Sequence, residues 1–117
     1  MYRLHQKQAQ LDKNLYEFLL RCAEIVHKDY PDAKIILYGS QARGQAKPQS
    51  DLDMLILLSS DISSQEKNDI HDRLYEIGLE WDIVISALIK SISLWEQPIS
   101  RATPLYQSIQ REGILVA

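Results

Sequence analysis

Gly39-Ser40-Gln41-Ala42-Arg43-Gly44 is followed six residues later by Ser50-Asp51-Leu52-Asp53-Met54-Leu55-Ile56-Leu57-Leu58, an apolar run that opens with two aspartates. Carboxylates at the mouth of a strand resist burial unless something compensates their charge. Residues i and i+2 of a strand share a face, so Asp51 and Asp53 are expected side by side, about 6 to 7 Å apart at the backbone. Just upstream, Lys34-Ile35-Ile36-Leu37-Tyr38 has the length and apolar content of a buried strand and ends at Gly39. The stretch therefore reads as strand, glycine turn, a loop over 45–49 containing Pro48, and a second strand over 51–58.

Working outward, Leu11, Leu15, Phe18, Leu19, Cys22, Ile25 and Val26 recur at helical spacing, which predicts an amphipathic helix over 11–30, stopped by Pro31 and Asp32. Downstream, Ser63 and Glu66 form a potential capping box, and Ile70, Leu74 and Ile77 trace one face of a helix expected to end near Gly78. Trp81-Asp82-Ile83-Val84-Ile85-Ser86 is β-branched and reads as a third strand, again with an acid at its start. Thr103 as N-cap with Pro104 at the first helical position predicts a last helix over 105–112, closed by Gly113. The order helix, strand, strand, helix, strand, helix implies an α+β fold, a small mixed sheet flanked by helices. With no repeat, low-complexity tract or linker, one domain over 1–117 is the expectation.

Composition narrows the function. The 117 residues carry 16 acidic and 13 basic side chains, a formal charge of −3, which provides no broad basic surface for gripping nucleic acid; direct DNA binding is not expected. The one cysteine, Cys22, has no internal disulfide partner, and the N-terminal stretch lacks the apolar centre of a signal peptide. No apolar run is long enough to span a bilayer, so the expectation is a cytoplasmic protein with no membrane contact.

The acids can then be read as chemistry. Mg²⁺ prefers oxygen ligands and is usually held by one or two carboxylates together with substrate phosphates, and Asp51 and Asp53 supply such a pair. Two ions can clamp the attacking and leaving oxygens of an in-line displacement at phosphorus, which calls for a third carboxylate; Asp82 is the candidate if its strand lies beside the second. Gly39 and Ser40 open a turn whose backbone N–H groups suit phosphate oxygens. Arg43 has two readings here, a phosphate contact or an ion pair that fixes the turn. Lys47 in the loop is a solvated residue or a weak steering charge. His5, His27 and His71 lack ligand spacing and read as surface residues, Cys22 as core, and Trp81 as packing against the sheet.

Gly39-Ser40-x-Ala42-Arg43-Gly44 followed by Ser50-Asp51-x-Asp53 resembles the signature of the DNA polymerase β-like nucleotidyltransferase superfamily, in particular its smallest branch, the minimal nucleotidyltransferases. The likeness runs through motifs from 34 to 86. It implies that Asp51 and Asp53 bind both divalent ions, that Asp82 completes a catalytic triad, and that Gly39 and Ser40, with Arg43 near them, hold the triphosphate. The implied reaction moves a nucleoside monophosphate, AMP from ATP, onto an acceptor hydroxyl with Mg²⁺ as the metal. Members of this branch pair with HEPN-family toxin proteins as antitoxins, some by adenylylating a tyrosine of the toxin, so the resemblance implies a protein acceptor and a hetero-oligomer. Two other readings stay open: a binding module that neutralises its partner by contact, and a transferase with a small-molecule acceptor.

Overall fold

A computed structural model describes residues 1–45 and 50–117. The elements run β1 (Tyr2–Arg3), α1 (Leu4–Lys7), a 3₁₀ turn (Gln8–Gln10), α2 (Lys13–Asp29), β2 (Lys34–Tyr38), α3 (Gly39–Ala42), β3 (Leu52–Leu58), α4 (Ser64–Trp81), β4 (Ile85–Ser91), α5 (Ile92–Trp95), α6 (Pro98–Arg101), α7 (Pro104–Glu112) and β5 (Ile114–Leu115). The fold is α+β. The strands form one mixed sheet in the order β1-β5-β2-β3-β4. β2 runs antiparallel to β3 and to β5, while β3 with β4 and β1 with β5 are parallel.

β3 lies inside this sheet, and every residue of it except Asp53 is buried. A strand covered on both faces needs a continuous apolar run rather than alternation, which is what 54–58 provide. Its even-numbered residues Leu52, Met54, Ile56 and Leu58 meet Phe18, Leu19, Cys22 and Val26 of α2 and Ile70, Leu74 and Ile77 of α4. Its odd-numbered Leu55 and Leu57, with Ile36 of β2, pack against Trp95, Tyr106 and Ile109. Trp95 and Tyr106 set their rings 5.0 Å apart, and the Tyr106 hydroxyl donates to Glu96 Oε2 at 2.9 Å. Asp53 shares the parity of Leu55, so it belongs to this second face, opposite Tyr38, which packs against the edge of the same cluster.

The helices start where local chemistry places them. Asp12 caps α2, accepting from the Asn14 and Leu15 N–H groups at 3.0 and 3.3 Å. Ser63 and Glu66 form the reciprocal box at α4, with Glu66 N–H on Ser63 Oγ at 3.1 Å and Ser63 N–H on Glu66 Oε1 at 3.3 Å. Thr103 caps α7, taking the Tyr106 N–H at 3.2 Å, with Pro104 at its first position. Among the described residues no helix is long and apolar enough to cross a membrane.

The structure corrects the third strand. α4 does not stop at Gly78 but continues to Trp81, and the strand occupies Ile85–Ser91 instead of 81–86. Asp82 takes the left-handed conformation, φ 56° and ψ 43°. Its N–H reaches Leu79 O at 3.4 Å and the Ile83 N–H reaches Gly78 O at 2.9 Å, the paired bonds of a Schellman closure. Gly78 is a glycine because a Cβ there would fall on the Ile83 carbonyl oxygen, not because the helix ends there. Trp81 packs its ring 5.5 Å from that of Phe18. His27, expected at the surface, is half-buried and bonded through its ring to Ala33 O at 2.7 Å.

Candidate active site

The site forms where β2 turns into α3 beside the start of β3. Tyr38, the last residue of β2, lies opposite Asp53 in the antiparallel ladder. Gly39 then takes φ +76°, a left-handed value that L side chains avoid. It is also a close approach: a Cβ on Gly39 would land on Asp53 Oδ2 and lie 3.2 Å from its Cγ. The carboxyl of Asp53 therefore rests directly on the Cα of Gly39, and the glycine of the turn and the second acid form one unit.

α3 is closed by a second Schellman arrangement. The Gln45 N–H reaches Ser40 O at 3.0 Å and the Gly44 N–H reaches Gln41 O at 3.3 Å, with Gly44 at φ +70°. Nothing lies within 4 Å of a Cβ built on Gly44, so only its backbone angle calls for glycine. Gln41 Nε2 donates to Ser50 O at 3.5 Å, tying the turn to the chain that enters β3. Ser40 is half-buried in this turn. Lys47 lies outside the described residues.

Asp51 is exposed one residue before β3, and Asp53 is half-buried within it. The Asp53 carboxyl is held above its ordinary pKa, first by burial and then by the charge of Asp51, with Arg43 pulling the other way. Tyr38 is likewise pushed up, by burial and by the charge of Asp53. Arg43 pairs with Glu112 of α7, Nη1 to Oε2 at 3.4 Å, and its Nε donates to Gln45 Oε1 at 3.3 Å. The guanidinium thus ties the turn to the last helix while still acting on Asp53. Across the parallel ladder the residue beside Asp53 is Ser86.

Asp82 stands apart from this pair. It is exposed at the left-handed end of α4, two residues before Val84, whose carbonyl accepts from the Leu52 N–H at 2.8 Å. It is at the correct end of the sheet, but among the described residues no three acidic, histidine or cysteine side chains gather as a metal-binding group. The structure brings Asp51, Asp53, Gly39, Ser40 and Arg43 together and leaves Asp82 on the flank of a groove between α4 and β4.

The family model of the nucleotidyltransferase domain matches residues 19–116, from α2 through β5. The chain belongs to that family. Two proteins of Methanocaldococcus jannaschii are similar in sequence. "Putative protein adenylyltransferase MJ0141" is 39% identical over 56 residues, 48% of this chain and 57% of that protein. "Putative protein adenylyltransferase MJ0604" is 32% identical over 80 residues, 68% of this chain and 73% of that protein. The chain thus spans little more than half the length of the first relative.

A nucleotidyltransferase domain takes a nucleotide donor and works with a divalent metal. The donor set here suits such an ion: two carboxylates two residues apart, Asp53 half-buried and disfavoured as an anion first by burial and then by the charge of Asp51, gain from a cation between them. Water and substrate phosphate oxygens would complete the coordination. Three neighbours of this pair were not singled out in the sequence. Tyr38 and Ser86 flank Asp53 only because of how β2 and β4 pair with β3, and Glu112 meets Arg43 across 69 positions of chain. Tyr38 alone left a trace, its place directly before Gly39.

Proposed function

We propose that this nucleotidyltransferase domain is a minimal nucleotidyltransferase that moves AMP from ATP, with Mg²⁺, onto a hydroxyl of a partner protein of the HEPN type, as the antitoxin of a toxin–antitoxin module. The observation that carries the reading is the Asp53 carboxyl lying on Gly39, with Asp51 two residues before it, so that the acidic pair is set against the glycine turn that opens α3. The names of the two archaeal relatives support a protein as acceptor.

In this reading Asp51 and Asp53 hold the metal, which supplies positive charge near the reacting phosphate when bound. Gly39 and Ser40 meet the triphosphate through backbone N–H groups, and the missing side chain at Gly39 is what lets the Asp53 carboxyl stand beside them. The acceptor oxygen forms its bond to the α-phosphorus, the bond to the bridging β-phosphate oxygen breaks, pyrophosphate departs, and the hydroxyl proton passes to a base. Asp82 is assigned that base or the third carboxylate. It shares the parity of Val84 and Ser86, so straightening 82–84 onto the end of β4 turns it to the Asp53 face. Arg43 orders the turn through Glu112 and offsets the charge of the pair.

The test is incubation with α-labelled ATP and Mg²⁺, the chain alone and with its partner, followed by intact mass of each polypeptide. AMP on the partner that disappears with Asp51→Asn and Asp53→Asn supports transfer. The position of Asp82 favours a second reading, neutralisation by contact. A stable, neutralised complex formed equally by Asp51→Asn, Asp53→Asn and Asp82→Asn chains, with no AMP gained, would establish that one.

A further inference from the structure

The two edges of the sheet differ. β1 is only two residues long, whereas β4 spans seven, Ile85–Ser91, in unbroken register with β3 and with Lys90 its one charge. Short strands, bulges, prolines and rows of charge are how edges are normally protected, and β4 has none of them. Among the described residues its sole strand partner is β3.

The backbone directions follow from one bond. The Leu52 N–H reaches Val84 O at 2.8 Å, so residues of even number in this segment turn their N–H and C=O groups toward β3. Residues 85, 87, 89 and 91 turn theirs to the side away from β3, where Ile85 and Ala87 are half-buried and Ile89 and Ser91 are buried. An antiparallel partner identical to β4 must join odd to odd, and the register that uses all seven residues is centred on Leu88. It sets Ile85 opposite Ser91, Ser86 opposite Lys90, Ala87 opposite Ile89, and Leu88 on the axis against its own copy.

That register is complementary in charge as well as in hydrogen bonding. Lys90 of the second copy comes opposite Ser86, which itself neighbours Asp53. Two strand spacings, about 10 Å, separate their backbones, a span that a lysine and an aspartate side chain reach across together. On the other sheet face, Tyr75 and Leu79 of α4 are 68% and 65% exposed along a groove of about 410 Å³ that includes Ile85 and Ala87. The two-fold axis turns the same apolar flank of the second copy toward that groove.

We propose that the domain forms a two-fold dimer by antiparallel pairing of β4 with β4 of a second copy, centred on Leu88, so that Lys90 of each copy stands beside the Asp51 and Asp53 pair of the other. This assembly is independent of the transfer reading and gives each site a cation in addition to Arg43.

Sedimentation of the purified full chain tests the assembly, and cysteine crosslinking tests the register. The expected species has twice the 13.5 kDa of one chain. Residues directly opposite at a non-hydrogen-bonded pair lie about 4.5 Å apart at Cα, within disulfide range, so Leu88→Cys should crosslink on mild oxidation while Ser86→Cys does not. Ala87→Pro removes an N–H that faces the open edge and spares the β3 ladder, so it should sediment as a monomer with an unchanged circular dichroism spectrum. A wild-type chain that stays monomeric at the highest soluble concentration overturns the proposal. Crosslinking at Ser86→Cys but not at Leu88→Cys overturns the register, and with it the placement of Lys90. An Ala87→Pro chain that folds and stays dimeric overturns the β4 edge as the interface; should that variant fail to fold, the crosslinking pattern still decides.

Discussion

Replacing Gly39 with alanine tests whether the close approach of turn and acid matters to the chemistry. Two effects add. The backbone at φ +76° is unfavourable for any residue with a Cβ, at a cost of about 1 to 2 kcal/mol. The new methyl would also overlap Asp53 Oδ2, so that oxygen must withdraw by about 1 Å to regain ordinary van der Waals contact. A displacement of that size at a reacting centre costs on the order of a hundredfold in rate. Gly44→Ala is the matched control, because Gly44 has nearly the same φ, +70°, and open space around its Cβ position. Each kcal/mol lowers the melt by about 4 to 8 °C, so Gly44→Ala should unfold below the parent by one to two such steps and Gly39→Ala further still, because the overlap with Asp53 adds to the backbone cost. Only Gly39→Ala should lose AMP transfer by about two orders of magnitude; Gly44→Ala should stay within a few-fold. Equal losses of rate in the two, or an unchanged rate in Gly39→Ala, would refute the argument that the glycine exists to make room for the Asp53 carboxyl.

Asp82→Gly should raise the melting temperature, because it removes a Cβ from a left-handed helix end, a gain of about 1 kcal/mol, whereas Asp82→Asn keeps a residue at home in that conformation and isolates the loss of charge. If transfer survives both substitutions, Asp82 is a cap and not part of the chemistry. Because the folded Asp53 carboxyl sits above its ordinary pKa, the native state holds more protons than the unfolded one between the ordinary and the raised value, so this group makes stability fall as pH rises through that window. Asp53→Asn should accordingly melt higher than the parent above the window and level with it well below, and a melting difference that does not change with pH would count against the assignment. Mg²⁺ protection of the parent against heat should fade as pH falls through the same window, read as the shift in melting temperature with added ion. Burial pushes the Cys22 thiol up to about 12, so a thiol reagent should leave the native chain unmodified and label it rapidly in denaturant.

Several elements are legible in the sequence because their causes are local. The apolar spacing of Phe18, Leu19, Cys22 and Val26 is that of the buried face of α2, and the Ser63–Glu66 box and the Thr103-Pro104 pair start α4 and α7 through contacts no more than three residues long. The run 54–58 is apolar without alternation because both faces of β3 are covered. The glycines at 39 and 44 mark positive φ angles, and the two-residue spacing of Asp51 and Asp53 is what brings the charge of the first to bear on the second.

Tertiary structure decided the rest, wherever the cause lies far along the chain. Gly78 reads as a helix stop, yet the approach of the Ile83 carbonyl is what requires it, and α4 runs on until Asp82 closes it. The β-branched residues 83–85 have strand character in isolation, but the ladder with β3 begins at Leu52 opposite Ile85, so β4 starts four residues later than propensity suggests. β1 and β5 are two residues each: β5 forms where Ile114 and Leu115 meet Leu37 and Ile36 of β2, and β1 where Tyr2 and Arg3 find that same pair at the other end of the chain. The same holds at the site: sequence order and periodicity select Asp51 and Asp53, whereas the resting of Asp53 on Gly39, the hold of Glu112 on Arg43 and the distance of Asp82 depend on which strands and helices meet, a matter of pairing energies between distant segments that no local pattern encodes.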